Sequence, residues 1–97
     1  MNNISIEKLQ NEMKNSSPLI IDIRSNYSYQ QGSIPGAKNI PVNILINSPS
    51  SYLDKNKTYY IYCQSGHTSK NVVMRLNSQG YNTVNILGGF NNYLLRK

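Results

Sequence analysis

At 97 residues, with no internal repeat and no long apolar run, the chain has room for one domain around one core over residues 1–97 and not for two. Ten Lys and Arg against four Asp and Glu leave a net charge of +6, but the basic residues are scattered (Lys8, Lys14, Lys38, Lys55, Lys57, Lys70, Arg75), which argues for a solvated surface and against a nucleic-acid stripe. Nothing approaches the roughly 20 apolar residues of a membrane span, the start MNNISIEKLQ lacks the blocks of a secretory signal, and one cysteine excludes an internal disulfide or a multi-cysteine metal site, so a monomeric cytoplasmic protein with a free thiol is expected.

Asn3 and Ile4 read as a short edge strand. Ser5 is a natural N-cap for IEKLQNEMK, in which Ile6, Leu9 and Met13 recur at helical spacing. After the turn-prone NSSP, the apolar run LIIDI at 19–23 predicts a buried strand in which Asp22 is the anomaly. Residues 26–31 predict one or two helical turns. GSIPGAKNIP, with two Gly and two Pro, is a shaped connection with a short strand near Ala37 to Ile40. Val42 to Ile46 reads as a short helix, and SPSSYLDKNK leads into the β-rich TYYIY that ends at Cys63. Val72, Val73 and Leu76 predict a helix from Ser69 to Asn77 stopped by Gly80, followed by a TVNIL strand at 83–87 and a GGFNNYLLRK helix. Alternating strands and helices predict an α/β domain, its mainly parallel sheet covered on both faces and its reactive groups at the carboxyl ends of strands.

Cys63 stands at such an end. The loop Gln64, Ser65, Gly66, His67 and Thr68 follows, and Gly66 can take a positive φ so that successive amides curl toward the sulfur while a helix start adds partial positive charge. Those features favour thiolate, the nucleophilic form, over a small buried apolar cysteine. Asp22 and Arg24, two apart on one strand, project to one face; a buried Asp needs a partner, and Arg24 either pairs with it or hydrogen-bonds the Cys63 loop, a supporting role rather than a catalytic one. His67, the only histidine, could act as a base or hold an anion, but a thiolate already ionised needs no base, which favours an exposed loop residue. One Cys and one His do not furnish the three or four ligands of a zinc site. Tight backbone packing explains Gly88 and Gly89 better than a phosphate grip, and Tyr59, Tyr60 and Tyr62 within one strand run read as core edges rather than base-stacking platforms.

Four blocks, IIDIRS at 20–25, GSIPGAKNIP at 32–41, YCQSGHTS at 62–69 and LGGF at 87–90, together resemble the rhodanese domain, the single-domain sulfurtransferase family, in that family's order and spacing. The resemblance implies a five-stranded parallel sheet between helices and no cofactor. It also implies that Cys63 accepts a sulfane sulfur from a small anionic donor such as thiosulfate, or from a persulfide, holds it as a persulfide, and passes it to a cyanide or thiol acceptor. Gln64, Ser65, Gly66, His67, Thr68 and Ser69 are then the substrate-binding stretch, while Asp22 and Arg24 match an Asp-x-Arg brace of the loop. Many relatives carry a basic residue where Thr68 stands, His at Ser33 and an acidic residue at Ser25; lacking the loop cation, the chain is expected to bind thiosulfate more weakly unless Lys70 or charged His67 substitutes. Related phosphatases and arsenate reductases have a loop one residue longer that closes with Arg, a place held here by Ser69. The rival reading is a catalytically silent interaction or sulfur-relay module with a protein partner.

Overall fold

The computed structural model describes residues 2–97. Ser5, whose hydroxyl accepts the Lys8 amide at 3.1 Å, caps α1 (Ile6–Asn15) directly after the edge strand β1 (Asn3–Ile4). β2 (Leu19–Asp22), α2 (Asn26–Gln31), β3 (Lys38–Asn39), α3 (Val42–Asn47), a 3-10 turn (Pro49–Ser51), β4 (Thr58–Tyr62), α4 (His67–Ser78), β5 (Asn82–Ile86) and α5 (Gly89–Arg96) follow. The five strands form one sheet in the order β1-β5-β4-β2-β3, every neighbouring pair parallel. Parallel neighbours need crossovers, and the helices between the strands supply them.

Two cores result from the period-two alternation of the central strands. On one face Ile21 and Ile23 pack with Tyr59, Ile61 and Cys63, under Leu45 of α3 and Val72, Val73 and Leu76 of α4. On the other, Ile20, Tyr62 and Ile86 pack with Ile6 and Leu9 of α1 and Phe90 of α5. The sheet is therefore covered on both sides, as the alternation of elements implied. Among the described residues no helix is long and apolar enough to cross a membrane.

Several boundaries move. α4 begins at His67 rather than Ser69, because Gly66 at φ +99° turns the chain into the helix two residues early. β5 covers Asn82–Ile86 instead of 83–87, and β3 is confined to Lys38–Asn39 within the expected 37–40. β2 stops at Asp22 rather than 23, although the Ile23 amide still donates to the Tyr62 carbonyl at 3.1 Å.

Candidate active site

Cys63 follows the last residue of β4 and is 7% exposed. The sulfur is ringed by donors rather than by hydrocarbon alone. The Gly66 amide lies 3.1 Å from Sγ, the Ser69 amide 3.3 Å and the Ser69 hydroxyl 3.3 Å. Burial by itself pushes the thiol up; the hydrogen bond shared with the Ser69 hydroxyl and those donated by the amides of Ser69, Gly66 and Ser65 outweigh it, so the pKa lies below the ordinary thiol value. The amide of Ser69 is available because the two-residue extension of α4 puts Ser69 in its first turn, where N–H groups have no intrahelical acceptor.

Of the expected loop residues, Gln64, Ser65, His67 and Thr68 are exposed at the rim and Gly66 is half-buried. Ser69, at the end of that stretch, is fully buried, and its amide donates to the sulfur. Its hydroxyl also lies 2.6 Å from Oδ1 of buried Asn85 on β5. The His67 ring does not reach the sulfur; Nδ1 hydrogen-bonds the Ser65 hydroxyl at 3.1 Å.

Asp22 and Arg24 occupy the opposite face of the sheet. The register pairs Asp22 with Tyr62, whose hydroxyl donates to Oδ2 of Asp22 at 2.7 Å and accepts the Ile34 amide at 3.0 Å. Burial and the Asp22 hydrogen bond both push the Tyr62 phenol far up, which keeps it a neutral donor. Arg24 does both things expected of it: Nη2 and Nε hold Asp22 at 2.7 and 3.1 Å, and Nη1 donates to Oε1 of Gln64 at 3.0 Å. Nη2 also donates to the Gly32 carbonyl, and the guanidinium lies 4.2 Å from the Phe90 ring centroid. Burial alone would lower the Arg24 pKa, but Asp22 reverses the sign, so the group stays charged. Gln64 continues the chain by donating from Nε2 to Asn91 at 2.6 Å.

Gly88 and Gly89 pack backbone against the loop. The amides of Phe90 and Asn91 donate to the carbonyls of Cys63 and Gln64 at 2.9 and 3.0 Å, so these helix-start donors are occupied rather than free for phosphate. A Cβ on Gly89 would sit 2.4 Å from the Cys63 carbonyl oxygen. The sequence marks neither Asn85 nor Asn91 as part of the site, and it marks Tyr62 only as a core edge. The available signal for Asn85 was a polar residue at a position of β5 whose alternation faces the core.

The family model described as "Rhodanese-like domain" matches residues 5–96. A sulfurtransferase of Allochromatium vinosum is 35% identical over 91 residues, covering 92% of this chain and 84% of that protein. The thiosulfate sulfurtransferase PspE of Escherichia coli is 33% identical over 78 residues, covering 79% and 75%. The crystal structure of a rhodanese-like domain protein from Staphylococcus aureus superposes with a TM-score of 0.87 at 35% identity, covering 96% of this chain and 91% of that one.

Proposed function

Since the chain belongs to the rhodanese-like family, we propose that residues 1–97 act as one domain, a sulfurtransferase in which Cys63 is the nucleophile. The observation that carries the reading is the convergence of the Gly66 amide and of the Ser69 amide and hydroxyl on one sulfur. In the first half-reaction the thiolate attacks the sulfane sulfur of thiosulfate; the new S–S bond forms as the old one breaks, and sulfite leaves with the electron pair. In the second, cyanide or a thiolate attacks the outer sulfur of the Cys63 persulfide, and the Cys63 thiolate leaves. Each acceptor meets the product of a completed donor step, so the order is ping-pong.

Bringing an anionic donor to an anionic cysteine requires positive potential. The amides of His67 and Thr68, in the first turn of α4, supply it alongside the loop, and Lys70 one turn further adds a full charge. With Thr68 in place of a loop cation, thiosulfate and a persulfide remain the two donor classes, and the reducing cytoplasm is the compartment that suits a free thiol.

Intact-protein mass spectrometry tests the proposal. Treatment with thiosulfate or inorganic polysulfide is expected to add one sulfur atom, and cyanide is expected to remove it as thiocyanate. Cys63→Ser is expected to take up none while unfolding near the wild-type midpoint, because serine preserves size. Failure of every donor to load wild type would favour the interaction-module reading, and full turnover by Cys63→Ser would refute the mechanism.

A further inference from the structure

Cys63, Ser69 and Asn85 form a buried chain joined at a single hydroxyl. Ser69 is fully buried and Asn85 is 3% exposed. The Ser69 oxygen stands 3.3 Å from the sulfur and 2.6 Å from the Asn85 amide. A hydroxyl has one hydrogen to give. While Cys63 is a thiol the chain closes in one direction: S–H donates to Oγ, and Oγ–H donates to Oδ1 of Asn85. Once the thiol proton has gone to solvent, sulfur and Oδ1 are both acceptors and one hydrogen cannot serve both. Leaving either contact between lone pairs in a buried site is unfavourable.

A carboxamide resolves the conflict. A half-turn about its terminal bond presents Nδ2, a donor, where Oδ1 stood, at almost no change of shape. We propose that Asn85 is a positioning residue whose side-chain amide turns over when Cys63 ionises, donating to Ser69 so that the Ser69 hydroxyl donates to the sulfur. No proton passes to Asn85, and only the S–H bond is broken. The same polarity favours departure of the Cys63 thiolate when an acceptor takes the outer sulfur of the persulfide. The inference rests on the reading of Cys63 as the nucleophile. Charged neighbours do not account for the chain: Arg24 is held by Asp22 and Gln64, while His67 and Lys70 stand exposed on α4.

Two measurements on sulfur-free protein test it. In wild type, the Asn85 side-chain ¹⁵N–¹H signals are expected to shift with pH at the midpoint of Cys63 alkylation by iodoacetamide, a readout that is clean because the chain has one cysteine. They should lose that dependence in Cys63→Ser. Signals that stay constant through the midpoint would overturn the proposal. In the second, Asn85→Leu is expected to raise the alkylation midpoint, leaving about fivefold less thiolate at a fixed pH below it, and to have a clearly smaller effect in a Ser69→Ala background. A lowered midpoint would mean that Asn85 holds the hydrogen away from sulfur; equal shifts in both backgrounds would mean that Ser69 is not involved. Either result refutes the relay. Sulfur loading of wild type reads the proposed function separately, so the two ideas can fail independently.

Discussion

At Cys63 two opposed effects meet, and geometry decides between them. A cysteine 7% exposed ought to resist ionisation, yet two amides and a hydroxyl within 3.3 Å of its sulfur reverse the balance and depress the pKa. The depression has a consequence for stability. Between the folded value and the higher ordinary value, the unfolded chain binds more protons than the folded one, so stability rises with pH through that window. The contribution is complete above the unfolded value and lost as pH falls through the folded one. Urea unfolding across the window is expected to show this slope in wild type and not in Cys63→Ser; equal slopes would mean that burial and the hydrogen bonds cancel, and a slope of opposite sign that burial prevails. Cys63 and Gly66 were legible as residues because a strand end, a glycine and a helix pattern adjoin in the chain. The depth of Ser69 was not, because it depends on the helix starting at His67 and on Asn85 arriving from another strand.

Among the elements, the end of β2 does more than carry a buried charge. Arg24 ties β2 to the Cys63 loop through Gln64, and Gln64 ties the loop to α5 through Asn91. From the same helix start, Phe90 and Asn91 fix the loop backbone, with Gly89 allowing the close approach. Removing the guanidinium would strand Asp22, which is fully buried. Arg24→Ala is therefore expected to cost about 3 kcal/mol in urea unfolding and to lower sulfur transfer as Gln64 loses its anchor. Arg24→Lys should regain part of the stability but less of the transfer rate, since an ammonium cannot hold Asp22, Gly32 and Gln64 with one fork. An unchanged Arg24→Ala protein would reduce the pair to surface decoration. The strands and helices were legible from periodicity and turn chemistry, including the short β1 and β3; the extent of β3 was not, because its parallel neighbour limits it, with Ile21 facing Lys38 and Asp22 facing Asn39.

The whole molecule is positively charged, and that property acts on encounter rather than on fold. With a net charge of +6 and an anionic donor, the KM for thiosulfate is expected to rise severalfold as ionic strength goes from about 0.01 to about 0.15 M, where the screening length falls from about 30 to about 8 Å. Turnover at saturation should change little, and an uncharged sulfur donor should show no such rise; a flat salt profile for thiosulfate would mean that local amides alone hold the anion. Residue order by itself determined the alternation of strands and helices, the parallel sheet those crossovers require, and a thiol at a strand's carboxyl end. These depend on local periodicity and turn chemistry, which act between near neighbours in the chain. Only the tertiary structure decided that Arg24 reaches the Cys63 loop from the face opposite Cys63, that Gln64 is the link, and that Asn85 hydrogen-bonds Ser69. Those contacts join residues 16 to 40 positions apart, and strand register and helix packing set them.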